Sequence, residues 1–304
     1  MIRGDGADHW QERTMMPCFA DRSLADGLRH LLKQVPVLPY CLILDGVESA
    51  ATIPTLRGIF GRALYGVDRG VYERVFHPPE RERLPGYVLR PADDAESGRM
   101  ALEWILLGEA VKYEEILLRA WDVASGMGLG KGREPFFVRE RSGLNPDGSR
   151  TARHYCWSAD QIPWPQAGSI ERTACRIVFS LPVSLMREHR LIESPTLADV
   201  VIRTCRRLRA FLPADCQADW DKLTDEAISL ARETPSRGEW QPPLALPRYS
   251  AAQQRDFAVP GVRGQLHLPE GPGPLWPVFA ALTWTHVGKA SNLGLGRVRI
   301  EVRC

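Results

Sequence analysis

The sequence has no long hydrophobic run. Nowhere do apolar residues continue for the roughly 20 positions a membrane-spanning helix needs, so no membrane is expected as a partner. The N-terminal stretch carries Asp5, Asp8 and Glu12 and no apolar segment, which argues against a secretory signal. Paired cysteines are missing too. Cys18, Cys41, Cys156, Cys175, Cys205, Cys216 and Cys304 are far apart and form no CxxC pair for zinc, so free thiols in a reduced cytoplasm are expected. Lysine is scarce: of 39 basic residues only Lys33, Lys112, Lys131, Lys222 and Lys289 are lysines, in a chain of net charge +2. The planar guanidinium suits phosphate and base stacking, although a GC-rich genome produces the same bias. Net charge by itself demands no nucleic acid.

A nucleotide loop is also lacking. Gly130-Lys131 is followed by Gly132, without the hydroxyl that a GxxxxGK[ST] loop uses to hold magnesium. Dinucleotide folds place their glycines after a strand and before a helix. Here the glycines follow a helix and precede a strand, which sets ATP and NAD aside.

What the chain does contain is a repeat of helix, glycine-rich loop and strand, at 110–141 and again at 275–303. The first copy has Gly126, Gly128, Gly130 and Gly132 around Lys131 and Arg133, running into Phe136, Phe137 and Val138. In the second, Gly288, Lys289, Gly294, Gly296 and Arg297 lead into Val298, Ile300 and Val302. Such loops can offer main-chain N–H groups and cations to an anion, while a plain C-cap glycine explains only one or two of the glycines in each.

Upstream of the first copy, an apolar strand is predicted at 40–44, a helix at 55–65, and strands near 86–90 and 101–107. With the helix at 110–124 and a strand at 135–141 the order is β-α-β-β-α-β. In the second half Ile177, Phe179 and Leu181 alternate as a strand. Ser194-Pro195-Thr196 then caps a helix with Leu197, Val200, Val201, Cys205 and Leu208 inside. Arg203, Arg206, Arg207 and Arg209 read as its solvated face. An extra helix at 215–233, a proline-rich loop, a strand at Leu266 and Leu268, a helix at 275–286 and a strand at 297–303 follow.

The expected fold class is therefore α+β, with tandem ferredoxin-like (RRM-like) βαββαβ domains carrying Gly-rich loops, an architecture that often binds single-stranded RNA. Its expected divisions are an N-terminal extension (1–36), a first ferredoxin-like domain (37–141), a linker or long loop (142–172), and a second domain (173–304) with an insertion at 213–262.

Several strings in this order resemble a known family. They are Leu56-Arg57-Gly58-Ile59-Phe60-Gly61-Arg62-Ala63, Tyr72-Glu73-Arg74-Val75-Phe76, Gly126 to Arg133, Arg248-Tyr249-Ser250 with Gln253 or Gln254, and His286-Val287-Gly288-Lys289 leading to Gly294-Leu295-Gly296-Arg297. The chain is similar over about 38–304 to the CRISPR-associated endoribonucleases of the RAMP superfamily, which cut precursor CRISPR RNA. The resemblance implies cleavage within a CRISPR repeat without metal or cofactor, by attack of a ribose 2′-hydroxyl on the adjacent phosphate. It implies repeat RNA as partner, with other CRISPR effector subunits as further candidates. A noncatalytic RAMP subunit that binds guide RNA is the alternative.

That chemistry needs a base, an acid and cations for the charge on phosphorus. Seven histidines are available: His9, His30, His77, His154, His189, His267 and His286. His286 ends the helix that feeds the second loop, where a helix C-terminus favours the imidazolium, and shares a stripe with Leu275, Val278, Phe279 and Leu282, so catalysis competes with a capping or core role. Relatives often carry their histidine in or near the first helix of the first half. Residues 55–66 contain none, which leaves His30 and His77 as rivals. Lys289 is a candidate for stabilising the transition state and Tyr249 for orienting the ribose. Arg57, Arg62, Lys131, Arg133, Arg248, Gly288, Gly294, Gly296 and Arg297 are the candidate RNA contacts. Arg57 and Arg62 do not share a helical face. Trp240 and Trp284 are candidates for base stacking or for burial.

Overall fold

The computed structural model describes residues 23–47, 52–78, 84–92, 99–129, 133–161, 172–250 and 255–302, with the backbone alone for 246–250 and 255–257. Ser23 caps α1 (Leu24–Leu32), its hydroxyl accepting the Asp26 N–H at 3.3 Å. β1 (Pro36–Asp45) follows, apolar along its middle and covered on both faces. α2 (Ile53–Val67) starts from a Thr52 cap with Pro54 in its first turn, where a missing N–H does no harm. It leads through α3 (Arg69–Val71) into a π-helical turn, Tyr72–Phe76. β2 (Tyr87–Pro91), β3 (Met100–Leu107), α4 (Glu114–Met127), β4 (Phe137–Leu144), β5 (Arg150–Thr151) and β6 (Trp157–Ser158) complete this half.

The first sheet runs β2-β3-β1-β4-β5, with β6 paired to the start of β1. Tyr40 of β1 lies opposite Trp104 of β3 and Gly143 of β4, all antiparallel. Helices α2 and α4 cover one face. There Tyr40, Leu42 and Leu44 pack with Trp104, Phe60 and Trp121, and the Phe60 and Trp121 rings stack at 4.6 Å.

The second half opens with β7 (Cys175–Val183) and a small hairpin, β8 (Met186–Arg187) and β9 (Arg190–Leu191). α5 (Leu197–Arg209) starts from a capping box in which Thr196 and Asp199 satisfy each other's backbone N–H. α6 (Gln217–Glu233), β10 (Arg237–Trp240), β11 (Leu244–Ser250), β12 (Arg255–Leu268), α7 (Trp276–Thr285) and β13 (Val298–Val302) follow. The sheet order is β10-β12-β7-β13, with β11 paired to the outer part of β12. Counting the principal strands within each half, both sheets read second, third, first, fourth: the fold is a tandem ferredoxin-like one. The segment expected as a proline-rich loop contains β10, the second strand of this half, and most of the β11–β12 hairpin.

One apolar core joins the halves. Leu28, Leu31 and Leu32 of α1 pack with Ile177, Phe279 and Leu282 of the second half, and with Val37, Val88, Ile105 and Leu107 of the first sheet. α1, within the stretch 1–36 expected as an extension, thus contributes to this core. Cys156, Cys175, Cys205 and Cys216 are free thiols; burial pushes Cys175 up to about 11 and Cys205 to about 12, which makes both unreactive. Among the described residues no helix is long and apolar enough to cross a membrane.

Candidate nucleic-acid interface

The second glycine-rich loop is built on a helix end that cannot reach water. α7 is buried from Pro277 to Thr285 apart from Thr283, so its last carbonyls need protein donors. Arginines provide them: Arg90 Nη1 donates to Thr283 O at 3.1 Å, and Arg207 Nε to Thr285 O at 2.7 Å. His286 turns the chain out of the helix at φ 58° while its N–H closes on Leu282 O at 3.0 Å.

The His286 ring is 0% exposed. Its Nε2 lies 3.0 Å from Arg90 Nη1 and its Nδ1 3.3 Å from Leu295 O. One tautomer satisfies both partners, with Nδ1–H donating to the carbonyl and Nε2 accepting from the guanidinium. Burial, followed by the nearby charges of Arg90, Arg207 and Arg297, holds the imidazole well below its ordinary pKa. The expected imidazolium is therefore overturned: the helix-end effect is outweighed by desolvation and three cations. In this structure the ring is sealed from solvent and its neutral form is favoured.

The loop's glycines answer to packing as well. A Cβ on Gly294 (φ 85°) would lie 2.9 Å from Leu89 O of β2, and one on Gly296 (φ 67°) 1.9 Å from Val287 O. The N–H of Gly294 bonds Ser291 O, that of Gly296 bonds Pro182 O, and that of Lys289 bonds Ser184 O. These donors are already engaged, so Gly294 and Gly296 do not form the open phosphate cradle expected of them. Arg297 is likewise withdrawn, 7% exposed, with Nη2 3.7 Å from Glu103 Oε1 and Nη1 donating to Pro91 O at 3.4 Å. Gly288 is half-buried, while Lys289 stands exposed on the loop.

The described flanks of the first loop pair with each other. α4 ends at Gly128, and Leu129 and Glu134 exchange backbone bonds of 2.8 and 3.0 Å across the turn. Arg133 is exposed; Lys131 lies outside the described residues. Arg57 donates from Nε to Tyr87 Oη at 2.8 Å and sits over the Phe76 ring at 4.3 Å, so it ties α2 to β2 and is half-buried. Arg62, five residues on, is exposed. Arg248 and Tyr249 belong to β11, opposite Phe257 and Asp256, and their side chains lie outside the described residues. Trp284 is buried, its Nε1 donating to Gln161 O at 2.8 Å. His77 is exposed and stacks on Tyr72 at 6.2 Å; His30 is half-buried on α1.

Sequence reasoning missed Arg90 and Glu103, which pair side by side on β2 and β3 with only 7% of Glu103 exposed. A single acid inside the apolar run Ala101-Leu102-Glu103-Trp104-Ile105-Leu106 was the available signal. It also mistook Arg207, which is 6% exposed.

Two ferredoxin-like halves, joined through one core and a glycine-rich loop wedged at their seam, define a tandem ferredoxin-like protein. A family model described as CRISPR-associated endoribonuclease Cas6 matches residues 177–298, and another, described as an N-terminal domain, matches 51–166. Over 177–298 the chain is thus similar to the Cas6 family. Similar solved structures include a Cas6 product complex, 15% identical at TM-score 0.57 over 88% of this chain and 99% of that one. A second Cas6 product complex is 22% identical at TM-score 0.54, with the same two coverages. Thermus thermophilus Cas6 is 15% identical at TM-score 0.52, over 88% of this chain and 98% of its own. At these identities the likeness is one of fold. No curated protein matches the chain in sequence.

Proposed function

We propose that this protein binds the repeat of a precursor CRISPR RNA in the cytoplasm and cuts it once, releasing guide RNA. The observation that carries this reading is the Cas6 family match over 177–298, a span that contains the whole loop from His286 to Arg297. The reaction is an internal transesterification. A ribose 2′-oxygen attacks the adjacent phosphorus, the bond to the 5′-oxygen breaks, and a 2′,3′-cyclic phosphate and a 5′-hydroxyl result. A base takes the 2′-proton, an acid supplies one to the leaving oxygen, and cations balance the charge gathering on the phosphoryl oxygens. No metal ion enters the scheme.

We assign Lys289 to that phosphoryl charge and Tyr249 to the ribose. Arg62, Lys131, Arg133, Arg248 and Gly288 are assigned to the RNA backbone. The exposure of Lys289, Arg62 and Arg133 supports those three. The test is incubation with repeat RNA in chelator, with and without a 2′-deoxy substitution at the scissile ribose. Cutting of the ribose substrate and none of the deoxy substrate is expected; equal cutting of both contradicts the mechanism. Lys289→Ala should slow single-turnover cleavage by about 10- to 100-fold with a smaller change in RNA affinity. Tight binding without cleavage at any pH would instead mark a guide-RNA-binding subunit.

A further inference from the structure

His286 sits in a charged cluster that neither half owns. Arg90 of β2 and Glu103 of β3 come from the first half; Arg207 of α5, Arg297 and His286 come from the second. Arg90 and Arg297 both meet the Glu103 carboxylate, and Arg90 and Arg207 donate to α7's terminal carbonyls. A charged imidazole would add a fourth cation beside them.

The cluster has a second property: it holds both ends of the glycine-rich loop against the first half. His286 begins the loop and meets Arg90 at 3.0 Å; Arg297 ends it and meets Glu103 and Pro91 O. Between these anchors Gly294 lies flat on β2, where a Cβ would come 2.9 Å from Leu89 O. The His286 ring also spans the loop itself, through Leu295 O at 3.3 Å.

We infer that His286 is an uncharged positioning residue: its Nε2 holds Arg90 of the first half, its Nδ1–H holds Leu295 of the loop, and the two bonds together fix where Lys289 is presented. The part of this inference that concerns cleavage rests on the proposed function; the part that concerns the loop does not. Its consequence is specific. A side chain that keeps an acceptor toward Arg90 without ever titrating should replace histidine, whereas a proton donor or acceptor in the reaction could not be replaced that way.

The experiment compares wild type, His286→Gln and His286→Ala by hydrogen exchange of the 287–297 amides and by single-turnover cleavage at saturating repeat RNA. His286→Ala should exchange those amides faster and cut about 10- to 100-fold more slowly, the scale of a small misplacement, while His286→Gln should recover to within about threefold of wild type, with RNA affinity similar throughout. If His286→Gln is as slow as His286→Ala while its loop amides exchange as in wild type, the positioning role is overturned and the ring belongs to the chemistry. Wild-type exchange and rate in His286→Ala would also overturn it. Should His286→Ala not fold, Arg90→Lys gives the same comparison, because it keeps the charge but loses the fork that reaches Glu103, Thr283 O and His286 together. If the wild type cuts no repeat RNA, the functional reading fails, and the exchange arm alone decides the inference.

Discussion

A histidine that follows the last residue of a helix ordinarily keeps its proton more readily, because the terminal carbonyls are negative. At His286 those carbonyls are already occupied by Arg90 and Arg207, and Arg297 adds a third cation nearby. The ring is neutral in the folded chain at pH values where the unfolded chain, with an ordinary value of about 6.5, begins to take up a proton. Above that pH the ring contributes nothing to the pH dependence. Below it the unfolded state gains a proton that the folded state refuses, so stability falls. Denaturant midpoints measured from pH 8 down to 5 should therefore decline below about 6.5 in wild type, and His286→Gln should lack that part of the decline. Equal slopes in the two proteins would contradict the neutral assignment. Part of this residue-level picture was open to sequence reasoning. Arg207 continues the Val200–Thr204 stripe at spacings of four and three, so it falls on the buried face; reading Arg203 to Arg209 as one solvated group hid that. The pairing of Glu103 with Arg90 was not read, because the register of β2 against β3 does not follow from either strand's own pattern.

Among the elements, α2 shows how tightly the first half is fitted. Gly61 faces the Phe76 ring so closely that a Cβ there would lie 2.3 Å from Cζ. The ring has no room to withdraw, since it stacks on Tyr87 at 5.4 Å and on Tyr72 at 5.2 Å and carries the Arg57 guanidinium. Gly61→Ala should therefore lower stability by about 1–3 kcal/mol despite its better helix propensity. A thermal or denaturant midpoint at or above wild type would show that the stack can yield. The order of elements in the first half was legible because its strands are short apolar runs and its helices have a clear stripe. The β11–β12 arm was not. Pro247 and Pro260 disguise it, and both are tolerated because among the described residues β11 pairs with β12 alone and β12 meets β7 only from Val262 onward.

For the whole molecule, duplication leaves two loops of similar sequence with different duties. The described flanks of the first pair with each other, while the second crosses to the other half and is held there by Arg90, Glu103 and Leu89. Glycine content alone could not separate them, because a positive φ and a close backbone contact demand the same residue whether or not a phosphate is nearby. Among the described candidate contacts, Lys289, Arg62 and Arg133 are the exposed cations, carried by halves that share one core. The most direct test of the central claim is the mass of the upstream fragment after repeat RNA is incubated with the protein in chelator. A single fragment ending in a 2′,3′-cyclic phosphate is predicted; no fragment, or one ending in a 3′-hydroxyl, would contradict it.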